Sequence, residues 1–388
     1  MLHARQAIGS GLARAFPPSD WQVEIWTTGA PSRVFRDATA ARFPVHEIGD
    51  LGGDELLERA RRCETPLEVV TNDEYCLEAC ASLRRRLGLA VRLPTDLGPW
   101  LDKVTMKRRL ADASIATPPF VNLSPVRPRN VGPKVLGTLG LPVVLKPARG
   151  ANNRGIVVCR SEAELAAWLR QHAGEDGWFA ESFLTGRLYH ANAVVIEGDI
   201  TSVQVGRYTR PLLALGDGRP VGSLTLADDH PVTVAGAELG TRVIRALGDG
   251  GSFVTHVEFF QTPDRGLAVI DAAARAPGGL VSEIAAVRTG IHLEAVNLSL
   301  QVGRRPSLQR QDGPFAAWLW LSEDPALVRR VWGRLALRSV ATVRAQSTPV
   351  ASAMLLVSDR VTDLARDLRD LERGLRAERG GASRRAGH

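Results

Sequence analysis

Cysteine is scarce, with four in 388 residues. That excludes a disulfide framework. Cys76 and Cys80 sit four apart on one face of an expected helix, but no further Cys or His completes a zinc spacing. They read as buried free thiols in a reducing cytoplasm. No window approaches ~18 consecutive apolar residues, so no segment is expected to cross a membrane. The N-terminus lacks the uninterrupted apolar run of a signal peptide, and none is expected. No GxxxxGK[ST] and no GxSxG occurs, which removes the Walker phosphate loop and the serine nucleophile elbow. No fixed-period repeat is present.

Lysine is nearly absent too. Of 49 basic residues only Lys103, Lys107, Lys134 and Lys146 are lysines. Composition bias accounts for the arginines but not for where the lysines fall. The net charge of +7 and the pI near 9.7 raise the question of nucleic acid. The basic residues are scattered among acids, without a dense run or aromatic interleaving, so nucleic acid is not expected as a partner.

What is present is ordinary for a globular protein: 44% hydrophobic and 23% charged residues. The length calls for two or three domains or lobes. VEIWTT (23–28) and Leu67 to Val70 read as strands, the second followed by a helix capped by Thr71, with Glu74 as its capping-box partner and Gly88 at its C′ position. Residues 1–98 therefore read as a small α/β domain with a mostly parallel sheet. Residues 99–113 read as one amphipathic helix, with Leu101, Val104, Met106, Leu110 and Ala113 facing a core. SEAELAAWLRQHAG (161–174) is a capped helix, GWFAESFL a strand, and YHANAVVIEGDITSVQVG a hairpin turning at Gly198. A further helix is expected over about 234–247. Residues 306–358 are weakly patterned. Val361, Leu364, Leu368, Leu371 and Leu375 form one helical stripe. Packing on its own domain is the favoured reading, with a homodimer seam left open. The last residues, from 379 on, read as a disordered tail.

Two features carry chemistry. In PVVLKPARGANNRGIVV (142–158) a β-branched strand ends in Lys146 and Pro147, and a second strand follows a loop of glycine and asparagine. Gly150 to Gly155, flanked by Lys146 and Arg154, offers close backbone approach, amides and cations to an anion such as polyphosphate. An inert surface hairpin is the alternative. Glu258 and Asp271 lie on two strands around the Thr262–Gly266 turn, opposite each other. Facing carboxylates repel by up to ~1 kcal/mol unless a hard dication sits between them. Two solvated carboxylates are the alternative.

Taken in order, these motifs resemble the ATP-grasp carboxylate–amine ligases. The resemblance is to the branch with L-amino-acid ligases, and more distantly to biotin carboxylase, D-alanine ligase and glutathione synthetase. It covers about residues 65–305 and implies an α/β (α+β grasp) fold. A pre-ATP-grasp α/β domain (1–98) would precede a two-lobed grasp domain (99–305, small lobe about 115–185). A C-terminal region of the grasp fold (306–378) and the tail (379–388) would follow. LDKVTMKRRLADASIATPPF resembles the helix that puts Lys103 on a nucleotide phosphate. Lys146 resembles the second phosphate lysine, with Gly150, Asn152, Asn153, Arg154 and Gly155 in the covering loop. ESFLTG resembles the inter-lobe hinge, where Glu181 and the backbone through Leu184 take the adenine edge. THVEFF and VIDAAARAPGG resemble the metal-bearing strands, with Glu258 and Asp271 as ligands of Mg²⁺ or Mn²⁺. GIHLEAVNLSLQVG (290–303) resembles the helix closing the fold.

The implied function is ATP-dependent joining of a small carboxylic acid to an amine, such as an amino acid or small peptide, through an acyl phosphate. Arg275 and Lys146 would be its catalytic cations. A non-catalytic nucleotide binder, or a grasp enzyme of nucleotide metabolism, is the alternative. Three positions depart from the family: Asp271 stands for the usual Glu, Ala273 for the usual Asn ligand, and Leu188 for the usual ribose carboxylate. His190 or Asn192 is left to serve the ribose. Arg207 and Arg288 are candidates to meet a substrate carboxylate, though structural roles are favoured for both.

Overall fold

The computed structural model of the chain describes residues 1–4, 11–28, 43–215, 219–345 and 351–385. Three sheets organise them. In the N-terminal part, β1 (Ile25–Thr28) and β2 (Val45–Ile48) pair in parallel. A four-stranded antiparallel sheet follows, in the order β3 (Phe120–Asn122), β6 (Trp178–Ser182), β4 (Val143–Pro147), β5 (Val157–Cys159). The helices Pro128–Leu139 and Glu162–Gln171 cover it with Val135, Leu165, Trp168 and Leu169.

The largest sheet has eight strands. Its centre is β11 (Gly266–Ala273), β10 (Phe253–Thr262), β7 (Arg187–Ile196), β8 (Asp199–Tyr208) and β9 (Val221–Thr225). It is extended by β12 (Phe315–Leu321), β14 (Ser352–Ser358) and β13 (Val340–Ala345). The weak pattern of 306–358 has a physical cause. FAAWLWL of β12 is apolar at every position and largely buried, so it lacks the alternation that marks a half-exposed strand. Helix Pro231–Leu247 and helix Val361–Arg385 pack on this sheet in one core. Leu364, Leu368, Leu371 and Leu375 are buried in it, as the stripe predicts.

Several local expectations need correction. Leu67–Val70 is in no ladder among the described residues; Leu2 comes alongside, donating its N–H to Val70 O at 2.9 Å and bridging Thr71. Thr71 is not the cap. Its hydroxyl donates to Leu2 O at 2.9 Å, and Asp73 caps a 3₁₀ turn, Glu74–Cys76, by accepting from Tyr75 N–H at 3.2 Å. Helix Leu77–Arg86 continues it, and Gly88 closes it with φ +71°, as expected.

The single helix expected over 99–113 is two: Gly98–Leu101 and Lys103–Asp112. Between them Asp102 is extended and its carboxylate accepts from Thr105 N–H at 2.7 Å, so a side-chain cap competes with helix continuation. Ala113 ends the second helix and is exposed, not in the core. The tail expected from 379 is instead helical backbone as far as Arg385, in spite of the poor helix propensity of Gly380 and Gly381; 386–388 lie outside the described residues.

Candidate active site

The site begins at the break in residues 98–112. Because Asp102 restarts the helix, Lys103 sits in its first turn, and its N–H donates to Ala148 O at 2.8 Å. Its ammonium donates to Gly150 O at 2.8 Å and lies 3.2 Å from Asp271 Oδ1. One lysine thus ties the glycine loop to the edge strand of the large sheet. Burial alone would lower its pKa, but the charges of Asp271 and Glu74 outweigh burial and raise it, so it stays protonated.

Across the hairpin, β4 pairs with β5 (Val144 with Val158) and with β6 (Lys146 with Phe179). This delivers Lys146 to the rim. Its ammonium lies 2.5 Å from Glu181 Oε1, and Lys107 Nζ lies 2.7 Å from Glu181 Oε2. The second contact is an ion pair not aligned as a hydrogen bond. All three groups are buried. Burial works against the charge on Glu181, and the two ammoniums outweigh it and lower its pKa. Lys107 was not singled out from sequence for a role. Its signal was the rarity of lysine and its place four residues after Lys103, one helical turn on.

The loop itself turns through two successive left-handed residues, Asn152 (φ +59°) and Asn153 (φ +56°), and Gly155 (φ +74°). Asparagine tolerates that region better than other side chains, which accounts for its repetition here. Asn152 to Gly155 are exposed, while the start of the loop is held. The Tyr75 hydroxyl accepts from Ala151 N–H at 3.0 Å and donates to Ala151 O at 3.2 Å. Arg149 makes a two-pronged pair with Glu78 at 2.9 and 3.0 Å.

On the large sheet, Glu258 and Asp271 are cross-strand partners, with a bulge directly after Glu258. Asp271 takes Lys103 and its neighbour's N–H, from Ala272 at 3.0 Å, on Oδ1. Glu258 Oε1 accepts from Tyr208 OH at 2.8 Å and lies 3.3 Å from His256 Nε2. Burial would raise the Glu258 pKa, but His256 and Tyr208 outweigh it and bring it down to about 2. Each carboxylate keeps one oxygen outside these contacts. Among the described residues no group of three or more His, Cys, Asp or Glu is placed to hold a metal. Two carboxylates, each with one oxygen outside these contacts, are the donor set of a hard cation that takes one or two carboxylates and would fill its shell with water and phosphate oxygens, as Mg²⁺ does.

Arg275 is buried and paired through Nε and a terminal nitrogen with Glu74, both at 2.9 Å. Glu74 therefore serves the cleft and not a capping box. His190 and Asn192 are buried and already have side-chain partners. They lie in a buried chain in which Ser223 Oγ is 2.6 Å from His190, His190 2.9 Å from Asn192, and Asn192 2.7 Å from His256. Leu188 is core, packed with Tyr208, Phe260 and Trp318, and Leu184 is half-buried beside that cluster. Arg288 bonds Gly313 O and stacks on Phe315, and Arg207 lies opposite Tyr189 in the ladder of β8 with β7, so both have structural neighbours.

No protein-family model matches the chain. Over 216 residues it is 27% identical to the L-arginine-specific L-amino acid ligase of Bacillus subtilis, covering 53% of this chain and 51% of that protein. The chain thus spans about half the length of that curated relative. The L-amino acid ligase of Bacillus licheniformis superposes with a TM-score of 0.67 at 18% identity, over 91% of each chain. The carboxyaminoimidazole ribonucleotide synthase of Aspergillus clavatus, solved with ATP, does so at 0.67 and 16% identity, over 90% of this chain and 92% of that one. At such identities the superpositions establish a shared fold.

Proposed function

We propose that this chain, which has the fold of the ATP-grasp ligases, joins a carboxylate to an amine at the expense of ATP. The observation that carries the reading is the double contact of Lys103. One ammonium touches the glycine loop at Gly150 and the carboxylate of Asp271, itself the register partner of Glu258. Phosphate-binding cations and loop amides on one side, and paired carboxylates on the other, are what phosphoryl transfer to a carboxylate requires.

A carboxylate is a poor acyl donor, so the γ-phosphoryl group passes to it and ADP leaves. Lys103, Lys146 and the Gly150–Gly155 amides hold the phosphates in line. Mg²⁺ held by Glu258 and Asp271 would supply neutralisation of phosphate charge. Arg275 orients the acyl phosphate and stabilises the oxyanion formed when the amine attacks, and phosphate is released with the amide. The loop excludes water meanwhile, since water would hydrolyse the acyl phosphate. The hinge backbone from Glu181 to Leu184 receives the adenine.

A second reading, a nucleotide binder without turnover, draws on Ala273, on the apolar burial of Leu188, and on the two hydrogen-bonding neighbours that occupy Glu258. Phosphate release separates the two. Protein with Mg²⁺, ATP and a pool of amino acids is expected to release ADP and phosphate, and Asp271→Ala to abolish release while leaving the thermal transition in place. No release above background with any acid–amine pair, purine precursors included, favours the second reading. Full turnover by Asp271→Ala would remove Asp271 from the metal site.

A further inference from the structure

Glu181 carries one negative charge and has two ammoniums on it, Lys107 and Lys146. The two lysines differ in freedom. Lys107 is fully buried, its ammonium 5.8 Å and 5.9 Å from the ring centres of Phe120 and Phe179. Glu181 is its ion-pair partner, and those rings leave it nowhere else to go. Lys146 lies one residue from the end of β4, ahead of the Gly150–Gly155 loop. A phosphate that draws Lys146 off Glu181 would leave a buried carboxylate unneutralised, which is among the more destabilising changes a protein interior can suffer.

We propose that Lys107 is the standing counter-ion of Glu181, a positioning residue that lets Lys146 move from Glu181 onto a nucleotide phosphate without stranding the buried carboxylate. The inference rests on the reading that the cleft takes a nucleotide. In the free protein the triad holds one excess positive charge, shared across Glu181. In the bound protein Lys107 and Glu181 remain as a neutral pair, and the excess charge is the one Lys146 carries to the ligand. The aromatic rings help to hold an ammonium that burial alone would push toward its neutral form.

Calorimetric titration with MgADP tests this on three proteins: wild type, Lys107→Met, and Lys107→Met with Glu181→Gln. Methionine fills the space between the two phenylalanines without a charge. Wild type is expected to bind. Lys107→Met should bind about a hundredfold more weakly, because Lys146 must then neutralise Glu181 alone. The double variant, which has no buried carboxylate to strand, should bind at least about tenfold more tightly than Lys107→Met. If wild type binds and Lys107→Met binds as well, the counter-ion role is wrong and the nucleotide reading stands. If the double variant is as weak as Lys107→Met, the role is equally wrong. Absence of binding by wild type overturns the nucleotide reading, and this inference with it. Should Lys107→Met lack a cooperative thermal transition, the double variant decides alone: recovery supports the role and a loss beyond tenfold overturns it.

Discussion

His190 shows what a single buried side chain does in this molecule. It is enclosed between Ser223 and Asn192, and burial holds its pKa down to about 3. His292 is held down to about 4, again chiefly by burial. An unfolded histidine titrates near 6.5. Below that pH the unfolded chain takes up protons that the two folded histidines refuse, so their share of the stability is complete above about 6.5 and declines as the pH falls. Glu258 acts later, because its advantage is lost only from about 4.5 down to its folded value of about 2. Between pH 6.5 and 4.5 the two histidines therefore contribute the decline, each by up to ~1.4 kcal/mol per pH unit. Urea denaturation at pH 7 and pH 5 should show it, and His190→Gln should remove about one proton's share. An unchanged slope in that variant would remove His190 from the account. Nothing in YHANAVV announces this behaviour. Alternation predicts which face of β7 a residue takes, but not that four polar side chains from β7, β9 and β10 join into a buried chain.

At the scale of elements, the 3₁₀ turn and helix spanning 74–86 act as a bracket for the phosphate loop. Tyr75 clasps Ala151 by both backbone groups, and Glu78 holds Arg149. The Arg149 pair is exposed and adds little. The Tyr75 pair fixes backbone, and its loss should cost ~1 kcal/mol. Tyr75→Phe is expected to speed amide hydrogen exchange over residues 150–155 by about fivefold in the nucleotide-free protein. Unchanged exchange would show that the loop is held by other means. The hairpin around this loop was legible because strand, glycine loop and strand follow one another locally. The bracket was not, since it joins positions 76 residues apart.

For the whole molecule, the N-terminal part is joined to the rest by an apolar cluster, Leu12, Phe16 and Val70 with Leu298, and by polar contacts, one of them at Arg275 of the site. Arg275 pairs with Glu74; Asn72 accepts from Asn297 at 2.8 Å; Gln301 bonds Thr71 through both its amide atoms, at 2.9 and 2.7 Å. Helix Leu293–Gln301 supplies two of these partners. Removing one member of a buried ion pair typically costs ~3–5 kcal/mol, because the other charge is left alone. Glu74→Ala is therefore expected to lower unfolding free energy by that order, and Glu74→Ala with Arg275→Met to recover much of it. A double variant no more stable than Glu74→Ala would show that the pair does not join the two parts.

The sequence by itself determined the strands and helices whose signals are local: the loop hairpin, the turn at Gly198, the Ser161 cap, the leucine stripe from 361, and the register that sets Glu258 against Asp271. Each is written within a few residues, where period, turn chemistry and capping act. The order of those pieces was enough to suggest the ATP-grasp fold. Only the tertiary structure decided the partners. Glu74 reads as a cap and is a counter-ion to Arg275; Lys107 reads as one more helix residue and neutralises Glu181; Leu188 reads as an altered ribose contact and fills a core. A buried charge must find its opposite wherever the fold brings one within reach, and that distance through space is not written in the spacing along the chain.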